Sequence, residues 1–135
     1  METKYRILKD HGLMVQKIKG VFDFDEFISY TKIIMQDPDW KYVDKIVTDL
    51  RNAELSGFFE KMDEYLNYKK TEIKRSYSNV FIVDNPLNTA VVDIFKNKHK
   101  SLSDKYEYCS TLDFALSFLG MTYIYDEVSE VLDEL

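Results

Sequence analysis

The sequence predicts an α/β fold: one mixed, mostly parallel sheet in the order β-β-α-β-α-β-α-β-α, followed by an additional C-terminal helix. Three observations carry this expectation. Residues 45–50 (KIVTDL) and 80–84 (VFIVD) are short, β-branched and largely apolar rather than alternating, as parallel strands covered on both faces should be. Each ends in an aspartate, followed by a polar turn and a helical pattern, so the two stretches read as βα units. All four glycines, Gly12, Gly20, Gly57 and Gly120, fall at apparent element boundaries.

Taken in order, residues 4–9 and 13–19 flank Asp10-His11-Gly12, a turn composition, and read as two antiparallel strands. Asp23 with Glu26 three residues on marks a helix start, and Phe24, Phe27, Ile28, Thr31, Ile34 and Met35 recur at helical spacing. That helix ends at Gln36, because Asp37-Pro38-Asp39 cannot continue it. After the strand at 45–50, a helix is expected from about residue 57 to 73, with Ser56 as its N-cap and Phe59, Met62, Leu66 and Ile73 on its inner stripe. After the strand at 80–84, Asn85 is the expected N-cap and Pro86 the first helical residue. Leu87, Ala90, Val91, Ile94 and Phe95 should face inward. A last strand at 105–109 leads into a helix carrying Leu112, Ala115, Leu116 and Leu119 and closed by Gly120. Residues 123–135 place Ile124, Val128, Val131, Leu132 and Leu135 opposite Asp126, Glu127, Glu130 and Glu134, an amphipathic acidic helix. The expected organisation is one domain over 1–121 and this helix over 122–135, packed on the domain or on a second copy as a homodimer.

Composition narrows function. At 135 residues the chain has the size of one domain, and its 45% hydrophobic and 31% charged content is that of a globular protein. A net charge of −6 opposes binding to a phosphate backbone or an anionic membrane, so no nucleic-acid partner is expected. The densest basic stretch, residues 69–75 (KKTEIKR), is broken by Glu72 and reads as the solvated end of a helix. The single cysteine excludes an internal disulfide. No apolar run reaches the roughly 20 residues of a membrane span. The N-terminal METKYRILKD resembles neither a signal peptide nor a lipidation motif, and a cytoplasmic location is expected.

Candidate chemistry is sparse. Asp49 and Asp84, at the ends of neighbouring parallel strands, could line the crevice where α/β sheets bind ligands, as acid and base or around a metal, but aspartate after a buried strand is also ordinary turn chemistry. No Gly-rich phosphate loop, zinc spacing or nucleophile elbow accompanies them, so the expectation is no enzyme, no cofactor and no metal. His11 and His99 have no neighbouring ligand and read as surface residues. Cys109 on a strand reads as a small hydrophobe. Trp40, beside the QDPD turn, either pins that loop or joins a recognition surface.

The stretch IVTDLRNAELSG (46–57), with FIVDNPLNTAVVDIF (81–95) and STLDFALSFLG (110–120), in the element order above, resembles the STAS (sulfate transporter and anti-sigma factor antagonist), or SpoIIAA-like, superfamily. The similarity is to a stand-alone bacterial subgroup and covers about residues 4–121. It implies that the third strand ends in an aspartate-containing turn and that the serine opening the next helix, here Ser56, is the candidate phosphorylation site of a partner kinase. The family's Asp-Ser-Ser-Gly-type turn is replaced here by Ala53-Glu54-Leu55-Ser56-Gly57. A phosphate at Ser56 would meet the positive end of a helix dipole, whereas the same position suits a plain cap and Glu54 and Glu60 oppose added charge. The resulting expectation is a non-enzymatic regulatory module that binds a partner protein through Asn52, Glu54, Ser56 and Phe58, with Asp49 and Arg51 shaping the turn. The alternative is a carrier of a small apolar ligand or lipid, in a pocket lined by Phe, Tyr and Met.

Overall fold

The computed structural model describes residues 1–98 and 105–135. His99 lies outside them. The expected α/β order is observed: five strands form one sheet in the spatial order β1-β2-β3-β4-β5, the same as their order in the chain. Strands β1 (Glu2–Leu8) and β2 (Leu13–Val21) pair antiparallel, while β3 (Lys45–Glu54), β4 (Ser78–Ile82) and β5 (Tyr106–Cys109) continue the sheet in parallel. The hairpin turns at Gly12, whose φ of 61° is left-handed and where an added Cβ would lie 2.7 Å from the Asp44 carboxylate.

Parallel neighbours taken in chain order have consequences for layering. Each crossover is right-handed by the usual rule, so successive crossovers in one direction put their helices on one face. Helices α1 (Phe24–Gln36), α2 (Met62–Tyr68) and α3 (Pro86–Asn97) accordingly share one core with Met14, Ile18, Ile46 and Leu50. The opposite face, with Leu13, Val15, Val47, Val80 and Ile82, would be bare without the C-terminal helices α4 (Leu112–Leu119) and α5 (Tyr125–Glu134). The tail helix buries Val128, Val131 and Leu132 on this face of its own sheet.

Local signals are realised where a cap fixes them. The Asp23 carboxylate accepts from Glu26 N at 2.9 Å, the Asn85 amide oxygen from Asn88 N at 2.9 Å, and the Thr111 hydroxyl from Phe114 N at 3.3 Å. Gly120 ends α4 with φ 70°.

Five expectations are corrected. Strand β3 does not stop at Leu50 but runs to Glu54, because Asn52, Ala53 and Glu54 still pair with Lys19, Gly20 and Val21 of β2. Ser56 is therefore no helix cap: it opens a 3₁₀ segment (Ser56–Lys61), and its hydroxyl bonds to the Glu54 carboxylate. The expected helix over 57–73 is split into that segment, α2, and a π-helical turn (Lys69–Ile73) closed by Lys74 at φ 54°. The inward register starts from Phe58, which leaves Phe59 54% exposed. On α3 the inner face is Asn88, Val91, Val92 and Phe95, and Leu87, Ala90 and Ile94 point outward.

Candidate functional site

The residues singled out at the exit of β3 do not form one cluster. Asp49 is buried inside the strand, on the α4/α5 face, and both its oxygens are taken by Arg51, whose Nε and one terminal nitrogen donate at 2.9 Å. Burial pushes the Asp49 carboxyl up, but the Arg51 hydrogen bonds and charge, helped by Lys17, hold it below the usual carboxylate range. Asp84 is exposed beyond the end of β4. Asn52, Glu54 and Ser56 are exposed at the edge. Phe58, expected at the surface, packs instead into an aromatic group with Phe22, Tyr65 and Phe95 at centroid distances of 5.1–5.9 Å. Among the described residues, no group of three or more His, Cys, Asp or Glu side chains could hold a metal. Burial raises the Cys109 thiol pKa, which keeps it protonated.

The basic stretch at 69–75 is not simply solvated. Lys69 Nζ lies 4.5 Å over the Tyr77 ring and donates to Arg75 O, and burial lowers its pKa. The Arg75 guanidinium stacks 4.8 Å from the Trp40 ring, and Trp40 meets Tyr77 edge to face. Trp40 thus pins its loop to the core.

A different site emerges between the sheet and helices α1–α3. Here a cavity of about 90 Å³ is walled by aromatic and aliphatic side chains, among them Phe22, Phe27, Ile34, Phe81, Phe95 and Tyr106. Among the polar side chains that border it are Tyr30 from α1 and Gln16, Thr48 and Asn79 from three adjacent strands. They are hydrogen-bonded in series. The Tyr30 hydroxyl donates to Gln16 Oε1 at 2.9 Å, Gln16 Nε2 to Thr48 Oγ1 at 2.8 Å, and Thr48 Oγ1 to Asn79 Oδ1 at 2.9 Å. Geometry sets the direction: the other acceptor within reach of Tyr30, Lys4 O, is 3.4 Å away, so its proton belongs to Gln16. Thr48, with one proton, must then pass it to Asn79. Asn79, which closes the series, is buried, and among the described residues no buried side-chain nitrogen or oxygen lacks a hydrogen-bond partner.

The wall also carries the Thr31 hydroxyl, which donates to Phe27 O at 2.9 Å, the Trp40 indole and the phenols of Tyr65, Tyr77 and Tyr106. Burial raises the hydroxyl pKa values of Tyr30, Tyr65, Tyr77 and Tyr106, so all four stay protonated in the folded chain. Among the described residues, no Lys, Arg, Asp or Glu side chain borders the cavity.

The sequence led only to a pocket lined by Phe, Tyr and Met, and the polar series was missed, though a signal was present. Gln16 lies between Met14 and Ile18, and Thr48 between Ile46 and Leu50, each at the parity that faces the same core. Polar residues at matching inward positions of adjacent strands mark an interior hydrogen-bond series.

The chain matches no protein-family model, and no curated protein resembles it closely enough to count as a relative.

Proposed function

We propose that this protein is a non-enzymatic receptor or carrier for one small, mostly apolar molecule held between the sheet and the α1–α3 layer. The observation that carries the reading is the 90 Å³ cavity itself. Native cores rarely keep voids larger than one water. At about 24 cal/mol per Å³, an empty space of this size costs on the order of 2 kcal/mol, which one larger side chain would recover. Keeping it is understandable if something fills it. The size selects the occupant: drug-sized ligands occupy roughly 300–1,000 Å³, so 90 Å³ suits a single ring or a short chain and not a long acyl tail.

The chain has one tryptophan, Trp40, and it borders the cavity, so its emission reports occupancy. Saturating toluene or indole should raise the melting temperature and change Trp40 emission, and native mass spectrometry of protein from its own host should show a fixed added mass. If no small probe moves either signal, the cavity is only a packing defect and the proposal fails.

A second reading keeps the regulatory, STAS-like assignment, which rests on element order. What favours it is exposed apolar surface at one edge: Val21, Phe59 and Leu87 are 61%, 54% and 50% exposed, beside Asn52, Glu54 and Ser56. Leu55 lies within this stretch, and its backbone N–H bonds to Asn88. A Phe59→Asp variant that still retains every copurifying protein would count against a partner there.

A further inference from the structure

We infer that this chain dimerises through the free edge of β1, which pairs antiparallel with β1 of a second copy and joins the two sheets into one. Among the described residues no strand pairs with the outer side of β1, a run of seven residues without proline. Such an edge offers backbone donors and acceptors to any extended chain, and proteins restrain it with charge. Here the order of the charges selects the occupant. Thr3, Tyr5 and Ile7 lie on the α1 side of the strand, where the Tyr5 ring meets Tyr30 and its hydroxyl donates to Asp37 at 2.8 Å. Glu2, Lys4 and Arg6 lie on the α5 side, where Arg6 pairs with Glu134.

A two-fold axis through Lys4 sets Glu2 opposite Arg6 of the second copy, twice, and Thr3 opposite Tyr5, twice. Lys4 meets its own counterpart, with its charge already 3.6 Å from Glu2. A shift of two residues is the smallest that keeps each side chain on its face. In one direction it puts Lys4 against Arg6, and in the other it leaves Arg6 and Ile7 past the end of the facing strand.

The helix above repeats the pattern. Because α1 crosses back between the parallel strands β2 and β3, it runs in the direction of β1. The Tyr30 hydroxyl lies 3.4 Å from Lys4 O on β1 and 2.9 Å from Gln16 Oε1 on β2, so α1 stands over both strands with Tyr30 level with Lys4. With strands about 4.8 Å apart, the same axis brings two antiparallel α1 helices to roughly 10 Å, a packing distance. Their facing stripe is Asp25, Glu26, Ser29, Lys32 and Ile33, all exposed, acidic at its start and basic past its middle. An axis beside Ser29 therefore sets Glu26 against Lys32 of the second copy and covers Ile33, which is 59% exposed. One axis satisfies the strand and the helix together, and a foreign strand would have to reproduce both charge orders.

Sedimentation of the intact chain at physiological salt, where repulsion between two chains of net charge −6 is screened, should show a dimer whose share rises with concentration. Lys32→Glu sets acid against acid twice across the axis and should weaken dimerisation about tenfold, with the circular dichroism of the chain unchanged. Glu26→Lys combined with Lys32→Glu restores opposite charges and should restore the dimer. Hydrogen exchange in the unaltered protein locates the contact: β1 amides should exchange more slowly at high concentration than on dilution. A chain that stays monomeric up to near-millimolar concentration overturns the inference. So does a dimer that Lys32→Glu leaves as tight, a double variant that stays as weak as Lys32→Glu, or protection that appears on α4 and α5 in place of β1.

Discussion

Asn88 sits almost fully buried in the first turn of α3, yet both polar atoms of its side chain are used. Its oxygen accepts from Leu55 N at 3.2 Å, and its nitrogen donates to Ala53 O at 2.8 Å. One side chain thereby satisfies the backbone where β3 leaves the sheet. Asn88→Ala would strand a buried N–H and a carbonyl together, and should cost about 2–3 kcal/mol in urea unfolding. Asp49 makes the corresponding contact on the other face, through charge. Its pKa is lowered in the folded state, so the stability it contributes is fully present above the unfolded carboxyl value of about 4, and is lost as pH falls through the lower folded value. Asp49→Asn should therefore be less stable than the parent protein at pH 7, with the gap closing as pH drops below about 4. Urea midpoints of both proteins across pH 2–7 measure it, and a gap that stays constant would mean that Arg51 contributes nothing to the folded state through this carboxylate.

Elements were legible in the sequence where their determinants are local. Asp23, Asn85-Pro86 and Gly120 fixed helix ends within one or two residues, and the apolar runs at 45–50 and 80–84 fixed the parallel strands. What was not legible depends on partners distant in sequence. Arg51 to Glu54 read as a polar turn because Arg51, Asn52 and Glu54 are polar and only Ala53 is apolar. They are strand only because Lys19, Gly20 and Val21 lie alongside. In the segment at 56–73, Met62, Leu66 and Ile73 face inward as read, but Phe58 takes the place expected of Phe59, since only the fit against Phe22 and Phe95 chooses between them. For the cavity, inward polar positions on β2 and β3 were visible in principle, but their hydrogen-bonded series was not, because it follows from three distances across four elements. The irregular segment also contains its own strain. Lys74 is the one non-glycine residue with positive φ among the described residues, a conformation that costs an L-residue about 1–2 kcal/mol. Lys74→Gly should relieve part of this and raise stability by about 0.5–1 kcal/mol in thermal or urea unfolding. A loss instead would mean that the exposed Lys74 side chain makes a contact worth more than the strain.

At the scale of the whole molecule, strand order dictates what the last two helices must do. A sheet wound in chain order receives all three crossover helices on one face, and that face holds the cavity. Its other face is covered by α4 and α5 alone. Val128 is fully buried there, Lys17 Nζ donates to Leu132 O at 2.6 Å, and the His11 ring in the β1–β2 turn lies 3.4 Å from the Glu127 carboxylate. The acidic stripe of the tail faces solvent, while its apolar stripe belongs to the core, so the tail is part of the fold that supports the cavity from behind. Removing residues 122–135 should expose Leu13, Val15 and Val47 together and abolish cooperative unfolding. Leu132→Ala, a graded version of the same loss, should cost about 2–5 kcal/mol while leaving the chain folded. Calorimetry on both variants, with sedimentation to follow assembly, decides the matter. If the shortened chain stays cooperative and monomeric while the full chain is a dimer, the stripe closes on a second copy. If cooperativity disappears, the tail helix completes the single domain.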